Sequence, residues 1–574
     1  MKPELTDSRR LTGANLFWDR PSAIIDVAFD GPADAVIAAW ERAVNELLDA
    51  VAYSGEKTCH RAWQGGASLL VSAPIDVLYS MCELNEAAWA IASCKCAGGD
   101  APDLSEIVPR LNRLFDEERN PELLALQQAA RDHRVPFLWD DDEVSLGFGK
   151  TTLVWSPDGL PHPDEIDWDA IDTIPVALVT GTNGKSTTVR MTASIMTAAG
   201  FSTGLTSTDF IRVGDRIIDR GDYSGTGGAR TLMRQPDVEM AVLEVARGGL
   251  LRRGLGVEHA DVAVVTNVAA DHLGDYGINT VAELIPAKFI VRRALGANDP
   301  LVLNADDAGV VAFADKLDNR IAWFSLDAEN EQVRQALLAG ETVCFLEGGY
   351  LVTARGEERR RLVHVDQVPA TRGGAARYNI SNALAATATA LALGIGDEAI
   401  RKGLATFRGD ESDNPGRGNW FEREITTGGG TGTVGILVDF AHNEHGMLAL
   451  ADTVRATSSE RVVLLMGQAG DRLDQDIRDL VRAACSMAPG RLLVADRPGY
   501  ERGRQAFEVP AIIRSEALAA GLPERAIETC ASPVEATARA LDDARPGDLI
   551  VLLALTQREE ALELVHRFIG ESDG

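Results

Sequence analysis

The sequence predicts an α/β protein whose central part is a doubly wound, P-loop-containing domain. Three observations predict it. From Ile174 onward, short apolar runs alternate with stretches of helical periodicity, the rhythm of a mostly parallel sheet covered by helices. The first run, Val176–Thr180, leads directly into Gly181-Thr182-Asn183-Gly184-Lys185-Ser186. A stretch rich in Gly, Asp, Asn and Pro, from Asp410 to Gly418, then separates off a shorter series of the same kind.

A chain of 574 residues is long enough for several cores, roughly three or four at about 150 residues each. We expect an α+β N-terminal domain over 1–172, the central domain over 173–412 and a smaller α/β C-terminal domain over 413–574. Seven of the nine tryptophans fall in the first part, which argues for a packed domain rather than a tail. There Ile24–Phe29 reads as a strand, and Ala33–Ala50 and Ile75–Ala92 carry apolar residues at helical spacing. Ser156-Pro157-Asp158-Gly159 and Pro161-His162-Pro163 supply turn chemistry for a linker. In the central part the strands are 176–180, 240–243, 262–265 and 301–303, with a helix over Val189–Ala199 and another over Val281–Leu295. Beyond the hinge-like 410–418 segment, strands are expected at 436–438, 462–466, 492–494 and 549–553.

A formal net charge of −30 argues against nucleic acid as the partner, since a polyanion needs a basic footprint. ATP needs only a local positive site. No apolar run reaches the length of a membrane span, and no leader-like segment opens the chain. Seven unevenly spaced cysteines do not form a disulfide framework, so a cytoplasmic setting is expected.

The chemistry is concentrated in a few places. In the strand–loop–helix setting of residues 176–188, glycines let backbone N–H groups approach phosphate, and the helix N-terminus adds favourable charge. Lys185 can reach the terminal phosphates and Ser186 can ligate magnesium. Gly181, Thr182, Asn183, Gly184 and Thr187 complete the cradle. A Walker loop would want Gly at 179, where this chain has Val, so the loop is a shortened variant. Glu244 ends a strand, where open α/β sheets bind ligands. It suits magnesium, although a post-strand acid alone is more often a loop solvator. Asn267, Asp271-His272 and Lys288 follow the next strand. Taken singly, His272 is an unusual magnesium ligand and Lys288 a surface lysine.

In this order the residues resemble Mur ligases and their relatives, folylpolyglutamate synthase and cyanophycin synthetase. The resemblance continues in Asn379-Ile380-Ser381-Asn382, an adenine-side motif, in Pro415-Gly416-Arg417, and in Asp439-Phe440-Ala441-His442-Asn443. Leu243–Arg252 (LEVARGGLLR), Leu303–Asp307, Gly470-Asp471-Arg472 and Arg502-Gly503-Arg504 resemble the Mur-like half of cyanophycin synthetase. Near the start, Thr12–Trp18 and Val144–Lys150 resemble its N-terminal domain. In that family an ATP-grasp domain follows the second segment, whereas here residues 151–175 alone lie between it and the Mur-like part. Nor does the Asp76–Trp89 helix carry the His-x-x-x-His metal site of some members, and no hydrolytic site is expected there.

The resemblance implies an ATP- and Mg2+-dependent amide-bond ligase with a Mur-ligase central domain and a Rossmann-like C-terminal domain. A carboxylate would attack the γ-phosphate of ATP to form an acyl phosphate, which an amine then attacks. It implies Lys185, His272, Lys288, His442 and Asn443 as catalytic residues and Ser186, Glu244, His272 and Lys288 around metal, with Lys288 carbamoylated. Asn379, Asn382, Arg417 and Asp439 would contact nucleotide. The substrates implied are an amino acid, arginine by resemblance, and an aspartyl or peptide carboxylate, handled by a homo-oligomer. A non-catalytic partner of a full-length synthetase, and a poly-γ-glutamate or folylpolyglutamate type of ligase, are the alternatives.

Overall fold

The computed structural model describes residues 3–427, 430–553 and 555–570. Residues 1, 2, 428, 429, 554 and 571–574 of the expected domains lie outside the described residues.

The N-terminal part builds a four-stranded antiparallel sheet in the order Glu4–Leu11, Ser22–Ala28, Gly66–Ser72, Thr58–Trp63. Helices Ala33–Ala50 and Leu78–Cys96 pack on it around Ile25, Leu69, Trp40, Leu47 and Met81. A buried polar pair in that contact is satisfied. Trp40 Nε1 donates to Asn85 Oδ1 (2.8 Å), and the Asn85 amide donates to Leu69 O (3.0 Å). A three-stranded antiparallel sheet (137–139, 144–146, 153–155) follows, and two 3₁₀ turns occupy the expected linker.

The central sheet has eleven strands. Seven run parallel, in the order Thr203–Thr206, Met240–Glu244, Val176–Thr180, Val262–Val265, Leu301–Asn304, Ile321–Ser325, Thr342–Glu347. Antiparallel strands close both edges. Separate apolar clusters on the two faces explain why these strands read as unbroken apolar runs. The loop-bearing strand 176–180 lies between 240–244 and 262–265, so three carboxyl ends open side by side.

The C-terminal sheet runs Asn419–Thr427, Gly430–Asp439, Asp548–Leu553, Arg461–Met466, Arg491–Ala495, Ile527–Cys530, parallel except for the first pair. Among the described residues no helix is long and apolar enough to cross a membrane.

One expectation is corrected. The helix expected over 281–295 is α-helical only to Lys288 and continues as a 3₁₀ turn, Phe289–Ala294. Pro286 withholds a backbone donor inside it. The 410–418 segment, read as a hinge, is tied to the central domain. Asn414, 1% exposed, donates to Thr187 Oγ1 (3.1 Å) and Arg417 O (2.9 Å) and accepts from Arg190 (2.8 Å).

Candidate active site

The loop leaves its strand at Gly181 (φ 146°) and enters the helix Lys185–Ala198 at Gly184 (φ 85°). Both angles favour glycine. A Cβ would also strike Thr266 Oγ1 at the first position and Asn382 Oδ1 at the second. The strand end 266–269 braces the loop. Thr182 N donates to Asn267 O (2.8 Å), Asn183 N to Asn267 Oδ1 (2.9 Å), and Thr266 Oγ1 to Asn183 O (2.7 Å). Lys185 Nζ folds back onto Thr182 O (2.9 Å) at the mouth of the loop.

Glu244 does not solvate a loop: it is the last residue of its strand and 2% exposed. Its Oε2 accepts from Thr208 N (3.3 Å), while Oε1 has no hydrogen-bond partner. A buried, unpaired carboxylate oxygen is costly unless a cation faces it. Ser186 Oγ lies 3.4 Å from the Thr208 hydroxyl, in the same corner. Among the described residues no three His, Cys, Asp or Glu side chains converge on one point. Such a donor set fits magnesium, which is commonly held by one or two carboxylates plus phosphate oxygens.

Lys288 is no surface lysine either. It is 4% exposed and donates to Gly181 O (2.8 Å), beneath the loop. Burial, and then the nearby Lys185, push its amine well below the usual lysine range. His272 sits at φ 50° with Nε2 2.9 Å from Arg472 Nη2. Burial, with Arg472 and Arg247 adding to it, lowers its pKa to about 4, so the ring is neutral at pH 7. Asp271 accepts from Arg472 (3.0 Å) and lies 3.7 Å from His442 Nε2. Burial opposes its charge, but His442, His272 and Arg472 outweigh it and hold the carboxyl well below the usual range.

The C-terminal domain is docked on the loop. Asn183 and Asn443 exchange two side-chain hydrogen bonds (3.0 and 3.1 Å), and His445 Nδ1 adds a third contact at 3.0 Å. His442 Nδ1 faces Phe440 O (3.0 Å); a carbonyl only accepts, so that nitrogen carries a proton. Arg417 donates to Thr208 Oγ1 (2.8 Å) and Asp209 (2.7 Å), above the Phe440 ring. Asp439 is raised to about 6, chiefly by burial, and the OH of the enclosed Tyr378 close by has no partner.

Most of these residues line one cleft of 1480 Å³; Gly181 and Asn443 lie behind its lining. Its far wall belongs to the N-terminal part: Thr6, Asp7, Asp26, Trp63 and Gln64. That part is tied to the helix Arg247–Arg253, just after Glu244, by Arg9 Nε to Leu251 O (3.0 Å) and Thr12 N to Arg253 O (2.7 Å).

Thus Gly184, Lys185, Ser186, Glu244, His272, Lys288, Asn382, Arg417, Asp439 and His442 face a common cavity. Asn379 does not line it: buried, it accepts from Asn382 (3.1 Å) and donates to Ala370 O (2.8 Å), bracing the loop from behind. Thr187 Oγ1 is taken by Asn414. Sequence reasoning noticed Asp271 and Arg472 within motifs but gave them no role, and missed Arg190, Thr208, Asp209 and Arg558. Only the nearness of Asp271 to His272 could have signalled the first; nothing in the sequence singles out Arg558.

Strand order, loop and docked third domain define a Mur-ligase architecture. The Mur ligase middle domain matches residues 179–390, and the Mur ligase, glutamate ligase domain matches residues 424–554. The chain carries both Mur ligase domains in tandem and is homologous to cyanophycin synthetases and to Mur ligases. It is 37% identical over 380 residues to the cyanophycin synthetase of Trichormus variabilis, covering 66% of this chain and 41% of that one. It therefore spans about two fifths of the length of the cyanophycin synthetases it matches. The UDP-N-acetylmuramoyl-L-alanyl-D-glutamate--2,6-diaminopimelate ligase of Lactiplantibacillus plantarum is 26% identical over 65% of this chain and 71% of its own. Among solved structures, E. coli FolC in complex with DHPP and ADP aligns with a TM-score of 0.50 at 19% identity, over 68% of this chain and 89% of that one.

Proposed function

We propose that this chain is an ATP-dependent ligase that activates a carboxylate as an acyl phosphate and couples it to an amino-acid amine. One observation carries the reading: Lys185, Lys288, the unpaired Glu244 oxygen and the C-terminal Asn443 and His442 meet around one enclosed loop. That arrangement suits phosphoryl transfer, which needs positioning and charge neutralisation more than covalent help.

The substrate carboxylate attacks the γ-phosphorus and ADP leaves; the amine then attacks the acyl carbon, phosphate departs and the amine loses a proton. Ser186 and Glu244 would hold magnesium, which neutralises phosphate charge when bound. Lys185 draws charge from the transferring phosphoryl group, and the docked C-terminal domain keeps water from the acyl phosphate. Neutral His272 and Asp271 line the same cleft and would face the reacting groups. We assign 1–172 to one wall of the acceptor cleft, 173–412 to ATP and 413–574 to closure and the amine. The preferred pair is arginine and an aspartyl side-chain carboxylate, by likeness to the cyanophycin synthetases. The same reading includes a homo-oligomer and a cytoplasmic setting, which the seven free cysteines suit.

With Mg-ATP, arginine and an aspartyl peptide, the purified chain should release ADP and phosphate in step with a product of amide mass. ADP release without amide, or no ATP use with any amine–carboxylate pair, overturns the reading.

Asp439 sets a pH limit. As an acceptor for a nucleotide hydroxyl it must be ionised, and its pKa is about 6. The ionised fraction falls about tenfold between pH 7 and pH 5. The KM for ATP should rise by that factor over the interval, and Asp439→Asn should give a KM that is high throughout and flat. A pH-independent KM in the parent protein would exclude this role.

A further inference from the structure

The densest convergence of charge left unused by the proposed chemistry lies beside the phosphate loop. Asp209, its side chain 9% exposed, accepts from Arg190 of the loop helix (2.5 Å), Arg417 (2.7 Å) and Arg558 (3.0 Å). Arg190 is 1% exposed and belongs to the central domain, so its pair with Asp209 is fixed there. Arg417 and Arg558 arrive with the C-terminal sheet, from 208 and 349 residues away. Three guanidiniums around one carboxylate repel one another, and the charge of Asp209 offsets that repulsion while Arg417 and Arg558 are within reach.

The neighbouring residue carries that contact inward. Thr208 Oγ1 accepts from Arg417 (2.8 Å) and lies 3.4 Å from Ser186 Oγ, and Thr208 N donates to Glu244 Oε2 (3.3 Å). One dipeptide, Thr208-Asp209, thus touches the arginines of the closing domain on one side. On the other it touches the hydroxyl and carboxylate assigned to magnesium.

We propose that Asp209 is a positioning residue, the latch by which docking of the C-terminal domain sets the hydroxyl and carboxylate that face the phosphates. Its effect on turnover rests on the ligase reading; its effect on closure does not. The latch makes closure sensitive to salt, since Arg558 is partly open to solvent.

The test uses the full chain, small-angle scattering with Mg-AMPPNP, and steady-state kinetics of Asp209→Asn and Arg558→Gln. We expect Arg558→Gln to give a more extended particle than the parent and to lower kcat by about tenfold or more, as for losing one arm of a partly buried interface ion pair. The Kd for Mg-ADP should stay unchanged. Asp209→Asn should open the particle further. If it fails to fold because Arg190 loses its charge partner, Arg558→Gln alone decides, since there Asp209 keeps both other arginines. An Arg558→Gln scattering curve identical to the parent's overturns the latch whatever happens to kcat. A parent protein that forms no amide overturns the ligase reading instead, and the scattering comparison still decides the latch.

Discussion

Replacing Lys288 with methionine should lower the rate of amide formation by roughly three orders of magnitude, a loss typical of groups that organise transferring phosphoryl charge. It should do so without unfolding the protein. The lysine amine is enclosed, and Lys185 stands close enough to disfavour its charge. Methionine keeps the length of the apolar stem and removes the amine from a site that resists it. The loss is one hydrogen bond to Gly181 O, about 1 kcal/mol. Thermal unfolding should therefore change little while activity collapses. The chemical reason is that a neutral, buried amine can add carbon dioxide. A C–N bond forms, one proton leaves, and the lysine becomes an anionic carbamate whose nitrogen keeps one N–H for Gly181 O. Native mass spectrometry in bicarbonate should show the added CO2, and acid should remove it. Full activity in Lys288→Met, or a mass indifferent to bicarbonate, would sink the carbamate.

Lys185→Ala should cost about as much, roughly a thousandfold in kcat, for a different reason. Lys185 is half-buried, and its one hydrogen bond is to Thr182 O within its own loop. Removing it takes one hydrogen bond from the backbone acceptor Thr182 O, so stability should move by about 1 kcal/mol or less. ADP should still bind, because the loop's backbone N–H groups and the helix N-terminus remain. The two lysines thus separate by readout: only Lys288 variants lose a bicarbonate-dependent mass. A Lys185→Ala protein with parental kcat would falsify the catalytic reading of the loop.

Much of this was legible in the sequence because the central strands are buried on both faces and announce themselves as apolar runs. The loop was legible because φ and crowding at Gly181 and Gly184 favour glycine. Glu244 and Lys288 were named, but their environment was not. An acid after a strand and a lysine on a helix carry no local mark of being buried; burial is decided by neighbouring strands and by the loop above. The packing of 410–418 was hidden for a similar reason, since Asn414 finds Thr187 and Arg190 more than 220 residues away. Arg558 and Asp209 were invisible, being ordinary charged residues until the third sheet docks. The Asn379 and Asn382 pair shows the converse, where a family motif marks both residues yet only Asn382 reaches the cleft.

The Arg190–Asp209 pair also bears on how the chain is made. Synthesis proceeds at about 5 to 20 residues per second, so the 349 residues from Asp209 to Arg558 take roughly 20 to 70 s to emerge. For all that time the nascent central domain stands with its catalytic face uncovered. Uncovered, Asp209 faces water, whereas Arg190 on the loop's own helix is 1% exposed and needs a counter-charge. Asp209, made nineteen residues later, supplies it at once, long before either distant arginine exists.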